Sequence, residues 1–177
     1  TTEVEVAVVG GGHGGLQIGA RLRMAGVQSI RLIEKGGDFG GTWYWNRYPG
    51  ARFDSESWTY GYSISQELLD EWHWEEHFAA QPETERYLNH VADKFDLRRD
   101  IQFNSRVKAA PYREDTRSWD VIHQDGRRYT ARFLITAVGV LAGAVGEQAI
   151  AVPLAERLAA WPALAPHAAL IAFAVAV

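Results

Sequence analysis

The chain contains no cysteine. That excludes disulfide staples, thiolate metal sites and a cysteine nucleophile, and it fits a reducing, cytoplasmic setting. Long apolar runs are also missing. The longest strongly apolar stretch, residues 168–177, is about half of the roughly 20 residues that a spanning helix needs, so no membrane span is expected. No charged-then-apolar leader opens the chain. There is no basic block either. The 18 Lys and Arg face 22 Asp and Glu, for a formal charge of −4, which argues against a dedicated nucleic-acid binder. What remains is an ordinary globular balance, with 47% hydrophobic and 23% charged residues over 177 positions, enough for one full core. Tryptophan is plentiful, and five of the seven fall between Trp43 and Trp74.

The chain divides by composition into residues 1–141 and an alanine-rich tail, 142–177, whose only formal charges are Glu147, Glu156 and Arg157. Residues 4–9 are β-branched and apolar and read as a buried parallel strand. A glycine run, Gly10 to Gly15, breaks that strand. Residues 16–25 then read as a helix stopped by Gly26, and residues 29–34 as a second strand. This is a βαβ unit with a right-handed crossover. Residues 36–63 are aromatic, glycine-containing and without period, a loop whose length points to function. Residues 66–74 and 83–95 read as helices, the second opened by Pro82. Residues 101–107 read as a strand. Residues 111–112, 119–123 and 129–133 form a small antiparallel meander turning at Asp125-Gly126, and residues 133–139 read as a separate buried strand. The fold class is therefore α/β and Rossmann-like, a parallel sheet flanked by helices with a small antiparallel meander.

Gly10-x-Gly12-x-x-Gly15 between a strand and a helix is the pattern a dinucleotide requires. Gly10 permits the sharp turn, Gly12 a close approach of backbone to pyrophosphate, and Gly15 the packing of helix on strand. The helix N-terminus offers N–H groups and a positive dipole end to the phosphates. Glu34 follows Gly15 by 19 residues, where a carboxylate can hold a ribose diol and disfavour a 2′-phosphate. The unit alone leaves FAD and NAD open. The long excursion before the returning strand is a layout shared by two-dinucleotide flavoproteins.

The run Gly40-Gly41-Thr42-Trp43-Tyr44-Trp45-Asn46-Arg47-Tyr48-Pro49-Gly50-Ala51-Arg52-Phe53-Asp54 closely resembles the loop of type I Baeyer–Villiger monooxygenases, class B flavin enzymes. Glu56-Ser57, Tyr60, Tyr62-Ser63, Glu71-Trp72, Trp74, Gln81-Pro82-Glu83, Arg86-Tyr87-Leu88 and residues 91–97 are also similar to that family. The resemblance extends from Val4 to Leu141. It implies that residues 1–141 form an FAD-binding domain. Gly10, Gly12, Gly15 and Glu34 would hold the ADP half of FAD, and Gly41, Thr42 and Trp43 would line the flavin and ribityl side. Asp54 and Tyr60 would lie close to the flavin, and Val107 would meet the adenine through its backbone. Ala137 and Gly139 would mark a strand end at the FAD crevice. The implied activity is oxidation of a ketone to an ester or lactone by O2 through a peroxyflavin, with NADPH as reductant. Asp54 matches the family's catalytic aspartate, which orients an arginine supplied by the NADPH domain.

The resemblance stops at Leu141. The family's Phe-x-Gly-x-x-x-His-x-x-x-Trp-Pro linker survives here only as Trp161-Pro162, with Ala151, Pro153 and Arg157 at the other positions. No second glycine fingerprint follows, so no NADPH domain is expected within this sequence, and the chain alone is expected to be catalytically incomplete. A strand is expected at residues 170–177. Two alternatives stand beside the monooxygenase reading: a non-catalytic or truncated FAD-binding fragment, and an NAD-linked dehydrogenase. Other residues read as structural. Trp72, Trp74 and Phe78 are expected as packing under the loop, Arg98-Arg99 and Arg127-Arg128 as solvated turns, and His13 as important for its backbone rather than its ring. His73 and His77 fall i, i+4 on the expected helix, but Trp74 stands where a zinc-protease motif needs Glu, so no metal is expected.

Overall fold

The computed structural model describes residues 1–139; the expected tail at 142–177 and its strand at 170–177 lie outside the described residues. In chain order the elements are β1 (Thr2–Val9), α1 (His13–Met24), β2 (Ile30–Ile33), α2 (Thr42–Trp45), α3 (Ser57–Tyr60), α4 (Gln66–Glu71) and α5 (Gln81–Lys94). A 3-10 turn at Arg98–Asp100 leads into β3 (Ile101–Gln102), followed by β4 (Val107–Ala109), β5 (Tyr112–Arg113), β6 (Ser118–His123) and β7 (Arg128–Thr136). The strands form one seven-stranded sheet in the order β3-β2-β1-β7-β6-β4, with β5 on β6. β1 runs parallel to β2 and β7, and β2 parallel to β3.

Alternation along β1 places Val6 and Val8 in one apolar cluster and Ala7 and Val9 in another, so the strand is covered on both faces. The larger cluster joins β1 and β2 to α1 and α5. In α5 the buried positions Thr84, Tyr87, Leu88, Val91 and Ala92 follow the i, i+3, i+4, i+7, i+8 stripe of an amphipathic helix. Pro82 sits in the first turn of α5, where its missing N–H costs nothing.

Several sequence expectations are corrected. The strand expected at residues 101–107 is two strands, because Asn104 takes a left-handed φ of 51° and turns the chain. That turn hugs the end of β2: Asn104 N donates to Gly36 O at 2.9 Å and Ser105 N to Glu34 O at 2.9 Å. The separate strand expected at 133–139 is instead continuous with the third meander strand. β7 pairs antiparallel with β6 and parallel with β1, so the meander extends the main sheet. Nor is that segment buried, since Phe133 and Gly139 are exposed and residues 134–138 only half-buried. The helix expected at 66–74 ends at Glu71, where Trp72 turns extended. His73 and His77 therefore sit on irregular, exposed chain rather than on one helix face. Among the described residues no three His, Cys, Asp or Glu gather as a metal site, and no helix is long and apolar enough to cross a membrane.

The long aromatic segment is ordered by backbone pairing. Ser57 N donates to His77 O at 2.8 Å and Gln81 N to Ala51 O at 2.8 Å, while Arg52 bridges Ala80. The Ser57 hydroxyl reaches the carbonyls of Glu76 and His77 and accepts from Ala79 N. Trp72 and Trp74 pack beneath on Tyr87, as expected, but Phe78 is exposed beside His77. Arg98 is tied to Asp93 and Asp38, and Arg127 to Asp125, in exposed ion pairs.

Candidate functional site

The carboxyl ends of β1, β2 and β7, the glycine run and the aromatic loop enclose one cavity of about 690 Å³, a size typical of small-molecule and cofactor sites. Among the expected site residues Gly10, Gly12, Glu34, Gly41, Thr42, Trp43, Asp54, Tyr60, Val107, Ala137 and Gly139 all line it. Gly15 does not; it lies behind the wall, in α1 against the end of β1.

Two backbone contacts build the cradle. Gly10 has φ +112°, and a Cβ on Gly15 would stand 1.8 Å from the Gly10 carbonyl oxygen. The start of α1 therefore rests directly on the end of β1, which only glycine allows. The second contact was not legible in the sequence. A Cβ on Gly41 would lie 2.7 Å from Gly12 Cα, so the two glycine runs, 29 positions apart, touch backbone to backbone. Gly40 N also donates to Gly11 O at 3.1 Å. No side chain caps the N-terminus of α1, which leaves that end to a ligand.

Glu34 is buried, and both its oxygens are engaged. Oε2 accepts from Gly11 N and Oε1 from Gly36 N, each at 2.6 Å. Each carboxylate oxygen keeps a further lone pair, so Glu34 fastens the glycine loop and retains acceptor capacity toward the cavity.

The opposite wall is aromatic. Trp43 Nε1 donates to the Tyr60 hydroxyl at 2.6 Å, and Phe53 stacks on Tyr60 with centroids 4.6 Å apart and planes 11° apart. Burial raises the Tyr60 phenol above its ordinary range, partly offset by the Trp43 N–H. Gln81 of α5 holds the Trp43 carbonyl. Asp54 is exposed, lines the cavity and makes no hydrogen bond or ion pair among the described residues, so it does not cap its own loop. Sequence reasoning missed Phe53 and Arg106 as cavity residues. Both adjoin residues that were named, and only packing reveals them. It also undervalued the His13 side chain, whose Nε2 lies 3.1 Å from Tyr60 O.

Two histidines make stability depend on pH. Burial lowers the His13 imidazole, against a weaker raising contribution from the Tyr60 carbonyl. Burial also lowers His123, helped by the Arg127 charge and opposed by Asp125. The unfolded chain, with ordinary values near ~6.5, binds more protons than the folded one below that pH. Stability is therefore expected to be full above about pH 6.5 and to fall as the pH drops through the lowered folded values. Urea midpoints should hold steady from pH 8 to 7 and decline between pH 6.5 and 5. A flat profile across that window would contradict this assignment.

A sheet whose β1, β2, β3 and β7 run parallel, with a glycine cradle, an acidic partner at the end of β2 and a second loop closing the crevice, has the layout of a Rossmann-like dinucleotide-binding fold. The chain belongs to the pyridine nucleotide-disulphide oxidoreductase family, which matches residues 7–145. Its relatives are Baeyer–Villiger and other flavin-dependent monooxygenases. It is 45% identical over 141 residues to acetone monooxygenase (methyl acetate-forming) of Gordonia sp. (strain TY-5), covering 80% of this chain and 26% of that protein. Oxidized steroid monooxygenase bound to NADP superimposes with a TM-score of 0.76 at 50% identity, over 78% of this chain and 26% of that one. OTEMO in complex with FAD and NADP gives 0.72 at 46% identity, over 77% and 26%. The chain thus spans about a quarter of the length of these proteins.

Proposed function

We propose that residues 1–141 constitute the FAD-binding unit of a Baeyer–Villiger-type monooxygenase. The observation that carries this is the convergence of the glycine run, Glu34 and the Trp43–Phe53–Tyr60 wall on one cavity. FAD fits the residues present. The uncapped start of α1 and the glycine backbones would take the diphosphate, Glu34 the ribose, the backbone at Val107 the adenine, and the Gly41–Trp43 segment the flavin side. An NAD-linked dehydrogenase leaves the aromatic wall without a task.

When bound, the flavin supplies hydride acceptance from NADPH and activation of O2 for insertion beside a ketone carbonyl. The chain's own residues bind, orient and exclude water. Glu34 locks the loop that faces the diphosphate, and the stacked aromatic wall keeps one side of the cavity dry. Asp54, which has no ion-pair partner among the described residues, offers its carboxylate to a cation. In the full-length family that cation is an arginine from the NADPH domain, and no residue here is matched to it. The match covers 26% of acetone monooxygenase (methyl acetate-forming), and the part assigned to the matched residues is to bind FAD. A ketone substrate, O2 and NADPH belong to the complete enzyme, and a cytoplasmic location is part of the same proposal, supported by the cysteine-free composition.

Titration of the purified chain with FAD tests this. Saturable one-to-one quenching of flavin fluorescence, with an induced visible dichroism band, is the expected result, and NADPH alone should leave the flavin oxidised. A folded chain that binds NAD in preference to FAD would overturn the proposal.

A further inference from the structure

His13 is the first residue of α1, immediately after Gly12. Its backbone belongs to the phosphate-facing turn, while its side chain crosses to the aromatic wall. The ring lies against Tyr60 and Tyr62, with centroids 4.6 and 4.3 Å away. Nε2 meets the Tyr60 carbonyl at 3.1 Å, and the Tyr62 hydroxyl donates to the His13 carbonyl at 2.5 Å. Both tyrosines are held from behind. Tyr60 accepts from Trp43 Nε1, and Tyr62 N donates to the Tyr87 hydroxyl of α5 at 2.7 Å. His13 thus joins segments 47 and 49 positions apart.

We propose that His13 is a positioning residue that couples the diphosphate-facing start of α1 to the flavin-facing wall at Tyr60, so that ordering one orders the other. The inference rests on the FAD reading above. A carbonyl can only accept, so the nitrogen facing Tyr60 O carries the proton: the neutral ring is the Nε2–H tautomer. Burial disfavours the doubly protonated ring. Phenylalanine would preserve shape and ring contacts but break the link. Glutamine would preserve a donor of comparable reach.

The test measures FAD and ADP affinities of the wild-type chain, His13→Phe and His13→Gln, with the visible dichroism of bound flavin. ADP reports on the phosphate cradle alone. His13→Phe is expected to weaken FAD about tenfold, the value of one lost hydrogen bond, and to alter the flavin dichroism. It should leave ADP binding within about twofold, and His13→Gln should restore both FAD readouts. A purely structural role would weaken FAD and ADP alike. That outcome, or a His13→Phe chain matching wild type in FAD affinity and dichroism, overturns the inference. Should His13→Phe fail to fold, nitrogen chemical shifts of the wild-type imidazole decide: Nε2–H supports the link and Nδ1–H refutes it. A wild-type chain that binds neither FAD nor ADP removes the cofactor reading itself, and this inference with it.

Discussion

Gly15→Ala is expected to abolish FAD binding, weakening it by at least about a hundredfold, and to cost the fold roughly 3 kcal/mol or more. The added Cβ would stand 1.8 Å from the Gly10 carbonyl oxygen and 2.9 Å from its carbon. Those are backbone atoms of the turn that ends β1, and they cannot swing aside as a long side chain can. Gly10 cannot retreat, because a Cβ placed on it would already lie 2.3 Å from Ala137 O of the neighbouring strand end. Relief must come from α1 lifting off β1, which carries the phosphate-facing N-terminus away from the cavity and opens the packing of Leu16 and Ala20. The control is Gly26→Ala. Gly26 also has a positive φ, +84°, but nothing lies within 4 Å of its added Cβ. It should cost only the left-handed strain of about 1–2 kcal/mol and leave FAD affinity unchanged. Urea melts and flavin-fluorescence titration read both effects. Gly15→Ala binding FAD within threefold of wild type would show that the helix–strand contact does not control the cradle.

Glu34→Ala is expected to destabilise the chain by about 2–5 kcal/mol, since it strips the partner from two buried backbone donors at once. The N–H groups of Gly11 and Gly36 both end on this carboxylate, and both bonds are buried. FAD affinity should fall further than stability alone predicts, because the glycine loop loses its clamp and the ribose its acceptor. Glu34→Gln separates the two donors. Its single amide oxygen can take one N–H, while its NH2 group faces the other donor without an acceptor, so a loss of about 1–3 kcal/mol is expected. Urea unfolding of the apo and FAD-loaded chains measures both losses. An apo stability within about 0.5 kcal/mol of wild type for Glu34→Ala would mean that the two N–H groups find other partners.

The divided roles of one residue type show where sequence reading runs out. Gly10, Gly12 and Gly15 are recognisable because they fall within six consecutive residues at a strand-to-helix junction. Gly41 is equally constrained, at φ +54° and with room for no Cβ, which would lie 2.7 Å from Gly12 Cα, but its partner is far along the chain and no local pattern announces it. His13 was legible as a position in the loop and not as a link, since Tyr60 and Tyr62 reach it only through the folding back of the aromatic segment. The same limit explains the strand errors. Residues 101–107 have strand composition throughout, yet the left-handed Asn104 splits them so that Ser105 and Val107 reach the cavity. Residues 128–136 read as two strands because one half pairs with β6 and both halves with β1, a double pairing that composition does not encode.

Local sequence determined the elements whose physics is local. The β-branched run of β1, the glycine turn, the apolar stripe of α5 and the acid after β2 are each specified by neighbours a few positions away. The family was legible too, in the unusual aromatic run at residues 40–54. Tertiary structure alone decided the cavity: which glycine meets which, that both oxygens of Glu34 are engaged, and that Trp43, Phe53 and Tyr60 form a wall while Asp54 lines the cavity with no partner among the described residues. Those contacts join separate segments, up to 29 positions apart, and their energies arise from burial and close approach, which exist only once the chain has folded.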